Sequence, residues 1–341
     1  MSENFKFPYL IDPHVHCRDF EQSDKETYTT ASEAAMAGGV VFIGDMPNNS
    51  ELTDNLEKIL KKNEMVKSER VDFGFYLGTL GDKNQNFKEC YNHVLGLKVY
   101  MSETTGGFIV NDKDKLNHIF ESWDCDKPIL VHAEGNTLPI AIDLAENYKR
   151  TLYVCHVSRK DEIDLIKKAK DKRPGRVFAE VTPHHLFLDS SQSGDPFRQM
   201  KPPLSEPEDK KALWEAVNDG TIDTIGSDHA PHTKKEKMSD NPPFGVPGLE
   251  TGLPMLLMAE RSGSITREKI IELTHSNPIR IFGLSEQPNT FIEIERDFPM
   301  RIRGENLQTK CKWTPFEYFE VKDIVVRTIL RNEVVYNIEN L

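Results

Sequence analysis

The chain has 341 residues, 38% hydrophobic and 29% charged, enough for one large α/β domain with a substantial core or for two smaller domains. A formal net charge of -12 at pH 7 sets the average field against nucleic acid or an anionic membrane as the main partner, while a local basic pocket for a small anion stays open. Five scattered cysteines without a CxxC pair, no N-terminal targeting pattern and no run near the ~18 apolar residues of a membrane span point to a reduced, cytoplasmic chain.

Short apolar runs recur in chain order as YLIDPHVH, VVFIGDMPN, VDFGFYLG, LGLKVYM, PILVHAE, LYVCHVS, RVFAEVTPHH and TIDTIGSDH, eight candidate strands. Segments between them, among them KETYTTASEAAMAGG, LTDNLEKILKKNEMV, KLNHIFESW, TLPIAIDLAENY, RKDEIDLIKKAK and EDKKALWEAVNDG, carry helical apolar spacing. Near-continuous strands alternating with amphipathic helices predict an α/β chain whose parallel sheet is covered by helices, and eight such units closed in a ring make a (β/α)8 TIM-type barrel of ~250 residues. Residues 8–283 fit that length. An open doubly wound sheet is the alternative, but no GxGxxG turn follows the first strand. HSNPIRIFG reads as a helix start, with Ser276 or Asn277 capping and Pro278 in the first turn. Residues 284–341 alternate like strands in TFIEIERDF and IVVRTILRNEVVY, which predicts a C-terminal β-rich extension packing on the barrel.

The polar residues fall into register on this frame. His14 and His16, two apart in IDPHVHCRDF, project to one face of a strand, with Arg18 next along it. Lys98 lies in the fourth strand, His132 and His156 end the fifth and sixth, and Asp228 ends the eighth. In a barrel those ends converge on one face. Taken alone, His132 or His156 reads as a buried structural histidine; together, four histidines and a carboxylate are the ligand set of a hydrolytic metal site. Lys98 has two readings. An ammonium has no acceptor for a cation, so it either pairs with a carboxylate or has reacted with carbon dioxide to a carbamate able to bridge two metals. Its place opposite the histidine pair favours the carbamate.

The motifs DPHVHCR, DMPN, GLKVYMSET, VHAE, CHVSRKDEI, EVTPHHL, SDHAPHTKKEK and GVPGLET, in this order from about residue 8 onward, resemble those of the dihydroorotases in the cyclic amidohydrolase superfamily, in the form found as a domain of the multifunctional animal enzyme of pyrimidine synthesis. That resemblance implies reversible, zinc-dependent cyclisation of N-carbamoyl-L-aspartate to L-dihydroorotate. It implies one zinc ion held by His14, His16 and Asp228, a second by His132 and His156, carboxylated Lys98 bridging them, and a possible third metal at His14, Cys155 and Glu180. Asp228 would carry a proton between the attacking water and the leaving nitrogen. Arg18, Asn48, Lys201 and His232 match substrate-binding positions, Pro247 and Gly248 a segment whose backbone meets the pyrimidine ring, and Thr104 and Thr105 in SETTGG a loop closing over substrate. Uncovered sheet edges in the C-terminal extension predict a homodimer, which a larger complex with aspartate transcarbamoylase could contain.

Two features depart from the family. Only about nine residues precede the first strand, so the extension is expected to lack N-terminal strands and to leave sheet edges that invite pairing. Lys201 stands where the animal form has arginine, keeping the charge and losing the fork. Two other functions remain open: a hydantoinase or allantoinase, whose uncharged rings would give Arg18 no carboxylate, and a catalytically silent partner of aspartate transcarbamoylase, which would not need an intact ligand set. Arg18 itself could instead be an ion-pair partner of Asp19 or Glu21.

Overall fold

The computed structural model describes residues 4–340. After a short strand β1 (Asn4–Phe7) come eight parallel strands, β2 (Leu10–Val15), β3 (Val40–Asp45), β4 (Asp72–Gly78), β5 (Gly96–Tyr100), β6 (Ile129–His132), β7 (Leu152–Val154), β8 (Val177–Val181) and β9 (Thr224–Ile225), adjacent in space in the order of the chain. They are the eight apolar runs of the sequence. The ring closes through a parallel bridge between Val15 and His229, where the His16 N–H donates to the His229 carbonyl at 2.8 Å. Every residue of β5 and β6 is buried, because side chains fill the barrel inside and helices cover it outside.

Helices at Tyr28–Ala37, Leu56–Met65, Lys113–Ser122, Thr137–Asn147, Lys160–Lys172 and Pro207–Asp219 occupy the six predicted segments. Three of them start where a side chain satisfies an otherwise free amide: Thr27 accepts from Thr30 N–H, Asn55 from Lys58 N–H and Asp112 from Lys115 N–H. HSNPIRIFG does not start a helix. The helix begins at Arg267 with Thr266 as its cap, widens into a π turn over Glu272–Ser276 and continues as Asn277–Phe282, and Ser276 caps nothing. Proline has no N–H for the regular ladder, and a turn in which Asn277 N–H reaches back to the Glu272 carbonyl carries the chain past Pro278.

Beyond the barrel, β10 (Phe291–Glu295), β11 (Met300–Arg301), β12 (Glu320–Val321), β13 (Ile324–Leu330) and β14 (Glu333–Asn337) form the extension. β11 pairs with β12, and the larger sheet runs β1-β10-β13-β14, all antiparallel. The expectation that no N-terminal strand joins this sheet is therefore corrected. Residues 4–7 pair with β10 from Asn4↔Glu295 to Phe7↔Ile292, and four residues suffice because Phe7 anchors the strand in the core. Ile292, Ile294 and Val325 of the extension share one apolar cluster with the barrel residues Leu10, Ala35, Met36 and Val40. All five cysteines are free thiols, and no helix among the described residues is long and apolar enough to cross a membrane.

A shared core makes extension and barrel one cooperative unit. Ile292→Ala should lower stability by about 2–5 kcal/mol within a single transition in urea unfolding. Two separate transitions in the unaltered protein, or a loss within the ~0.5 kcal/mol of a surface change, would contradict that coupling.

Candidate metal centre

The C-terminal ends of the barrel strands surround a recess with about 390 Å³ of empty space. Its floor is His14, His16, Lys98, His132, His156 and Asp228. Arg18, His156 and Asp228 have φ of 61°, 37° and 46°, so the chain turns sharply where it leaves β2, β7 and β9 to point these side chains inward.

The histidines form two groups. His14 Nε2 and His16 Nε2 lie 3.3 and 3.0 Å from the same oxygen, Asp228 Oδ1. Their other nitrogens are held from behind, His14 Nδ1 by Glu180 Oε1 at 2.6 Å and His16 Nδ1 by Asn48 Oδ1 at 2.7 Å. With Nδ1–H spent on Asn48, neutral His16 turns a lone pair toward a carboxylate oxygen, an acceptor facing an acceptor that a cation between them would satisfy. In the second group His132 Nδ1 and His156 Nε2 are 2.8 Å apart, while the buried His156 Nδ1 has no partner. Burial, the largest cause, holds His16 down to about 4 and lowers His132 and His156, the latter helped by the charges of His132 and Lys98. These three imidazoles are thus in the neutral form that ligates metals. At His14 burial works the same way, but Glu180 and Asp228 outweigh it and raise the group to about 10. Asp228 is held well below the usual carboxylate range by His14 and His16 in spite of burial.

Lys98 is fully buried, and its ammonium donates to Cys155 Sγ at 3.0 Å. No carboxylate among the described residues pairs with it, so the ion-paired alternative lacks its partner. Lys62, equally buried, shows what that alternative looks like, with Asp45 at 2.8 Å. An unbalanced ammonium beside neutral imidazoles is costly, and the donor set around it fits a cationic group held in common. Two sets of ligand atoms lie within 4.8 Å of one another, His14 with His156 and Asp228, and His14 with Cys155 and Glu180. Cys155 and Glu180 stand behind the recess lining. Glu180 accepts from Tyr153 O–H at 2.7 Å and from His156 N–H at 3.1 Å, and it packs so close to Gly226 that a Cβ there would meet Oε2 at 2.5 Å.

On the binding side, Arg18 is 3% exposed and its Nε donates to the Pro231 carbonyl at 3.2 Å. It makes no ion pair among the described residues. Asp19, the candidate partner, instead accepts from the N–H groups of Phe20 and Tyr28. His232 stands behind the lining with Lys25 Nζ 3.3 Å from Nδ1, so Nδ1 accepts and Nε2–H donates to the Phe244 carbonyl at 2.9 Å. That leaves Arg18 Nη2, 3.2 Å from Nε2, without an acceptor. Burial and the charges of Arg18 and Lys25 keep His232 neutral. Asn48, Thr104, Thr105 and Lys201 line the recess; Lys201 lies 3.3 Å from Glu103 Oε2 and 4.8 Å above the Phe244 ring.

Pro247 and Gly248 do not line it. The Gly248 N–H is turned to His229 Nδ1 at 3.1 Å, and the segment that reaches the recess is Phe244–Gly245. Gly245, at φ +128°, runs so close to Ala230 that a Cβ would meet its carbonyl oxygen at 2.6 Å. Tyr100, whose buried hydroxyl has no partner, also lines the recess and was legible as the residue two beyond Lys98 on the same strand face. Nothing in the sequence marks Phe244 or Gly245.

If Glu180 fixes the His14 ring, Glu180→Gln should weaken metal binding by about 10–100-fold in a chelator competition. Unchanged affinity would remove that role.

Residues 5–288 match the model of the amidohydrolase family. The chain is 40% identical over 335 residues to the multifunctional protein CAD of Squalus acanthias, covering 97% of this chain and 15% of that protein, so it spans about 15% of the length of this multifunctional relative. It is 35% identical over 351 residues to a dihydroorotase of Pyrococcus furiosus, covering 96% of this chain and 80% of that protein. Its fold superposes on the L-hydantoinase of Arthrobacter aurescens with a TM-score of 0.91 at 25% identity, covering 98% of this chain and 86% of that one. With a family match over most of its length, a barrel of that architecture and a histidine cluster at its mouth, the chain belongs to the amidohydrolase family, in its dihydroorotase group.

Proposed function

We propose that this chain is a dihydroorotase that interconverts N-carbamoyl-L-aspartate and L-dihydroorotate. The observation that carries the reading is Arg18, a buried guanidinium beside the histidine cluster with an unspent donor edge and no carboxylate of its own. A substrate carboxylate supplies what it lacks, whereas a hydantoin or allantoin ring does not. A catalytically silent role as a structural partner of aspartate transcarbamoylase would leave the converging ligands without a use.

His14, His16 and Asp228 would hold one zinc ion, His132 and His156 a second, and carboxylated Lys98 both, with His14, Cys155 and Glu180 the site of a third. Such ions, when bound, polarise a carbonyl and make water a stronger acid near neutral pH. The chain's own residues do the rest. Arg18 clasps the carboxylate and so fixes the ring, Lys201 adds a point charge, and Asn48 orients His16. Thr104 and Thr105 narrow the mouth, where the Thr105 hydroxyl donates to the Phe244 carbonyl at 3.1 Å. Asp228, kept ionised by His14 and His16, takes a proton from the attacking water at a carboxylate oxygen and returns it to the leaving amide nitrogen; ring closure reverses both transfers. Pro247 and Gly248, matched by resemblance to a segment whose backbone meets the ring, lie just beyond Phe244–Gly245, which line the recess in their place. A homodimer formed through the outer strand β14, whose Val334 is 54% exposed, and a complex with aspartate transcarbamoylase in a reducing cytoplasm belong to the same reading.

Steady-state turnover of dihydroorotate, hydantoin and allantoin by the unaltered protein and by Arg18→Met tests the assignment. Dihydroorotate should be preferred, and the variant should lose at least about tenfold in kcat/KM on it, as expected from a charge-assisted hydrogen bond of ~1.5–3 kcal/mol, with metal content and hydantoin turnover unchanged. Equal loss on all three substrates would overturn it.

A further inference from the structure

A third buried lysine, after Lys98 and Lys62, lies outside the metal cluster and the substrate contacts. Lys237 ends the short helix Lys234–Lys237 and is fully buried, with no carboxylate at ion-pair distance among the described residues. Its ammonium donates instead to three backbone carbonyls, Pro243 at 2.8 Å, Gly245 at 3.1 Å and Gln199 at 3.1 Å, which uses all three of its hydrogens. The Trp313 ring of the extension lies 5.5 Å from Nζ and closes the site from behind.

The carbonyls it gathers belong to two walls of the recess. Phe244 and Gly245 line one wall, and Lys201, two residues beyond Gln199, lines another. The walls also touch directly, since the Gly245 N–H donates to the Gln199 carbonyl at 3.0 Å. Between the two carbonyls that Lys237 holds on the first wall, the Phe244 carbonyl accepts from His232 Nε2–H and from the Thr105 hydroxyl. Three consecutive carbonyls of an irregular segment are thus each held by a side chain. A neutral apolar side chain at 237 would leave the Pro243 and Gly245 carbonyls without a donor and Gln199 with the Gly245 N–H alone, and a guanidinium cannot aim three donors from one point.

We infer that Lys237 is a positioning residue for substrate binding, setting the separation of the Phe244–Gly245 wall from the Lys201 wall and taking no part in the chemistry. The choice of substrate for its test rests on the dihydroorotase reading. In Lys237→Met, amide hydrogen exchange at residues 199–201 and 244–246 should quicken by about tenfold with the other barrel amides unchanged, KM for dihydroorotate should rise by about fivefold or more, and kcat and bound zinc should stay within about twofold. Should that variant fail to fold, Lys237→Arg carries the test, with the same raised KM and unchanged kcat. Unaltered exchange and KM would overturn the inference, as would a fall in kcat and zinc content at constant KM. Failure of the dihydroorotase reading would show separately, as absent turnover in the unaltered protein, and the exchange measurement would still decide whether Lys237 holds the two walls together.

Discussion

The centre of this molecule is a buried cation without a counter-charge. Lys98 sits beside the neutral imidazoles of His132 and His156 at the mouth of the barrel, its ammonium on a thiol, while the nearby carboxylates Asp228 and Glu180 are spent on His14 and His16. Moving an ammonium out of water without pairing it costs several kcal/mol, and a protein that holds one must recover that cost or change the group. Conversion to a carbamate removes the positive charge and turns a donor into two acceptor oxygens.

Around that point the barrel divides its labour. The candidate ligands come from β2, β5 and β6 and from the turns just after β2, β7 and β9, so rigid backbone sets their spacing, and the positive φ values at His156 and Asp228 are the local strain of aiming them inward. The candidate substrate-facing groups sit on longer connections, where Arg18, Lys201 and Phe244 are fixed by carbonyl contacts and by the Lys201 ammonium over the Phe244 ring rather than by the sheet. The extension supports those connections from outside. Trp313 donates to the His232 carbonyl at 2.7 Å, and Arg261 grips Asp323 with two hydrogen bonds at the junction with β13.

The eight barrel strands were legible because strands buried on both faces read as unbroken apolar runs, and the candidate metal cluster was legible because its residues interrupt those runs at matching ends. What was not legible depends on contacts between distant segments. β1 is four residues long and gains its stability from β10, almost the whole chain away. The π turn before Pro278 looks in sequence like a cap, since serine and asparagine before proline suit either. Pro247 and Gly248 were placed at the recess by resemblance, yet the close approach of Gly245 to Ala230 brings the preceding residues there instead. The free edge of Arg18 follows from the tautomer of His232, which is set by Lys25 and Phe244 and so by three separate loops.

The claim on which the account turns is that Lys98 works as a carbamate. Reconstituting the metal-free protein with zinc in carbon-13 bicarbonate and recording its carbon-13 spectrum tests this directly. One carbamate resonance per chain, lost together with dihydroorotate turnover in Lys98→Ala, is the expected result. A zinc-loaded protein that turns over dihydroorotate with no such resonance would contradict it.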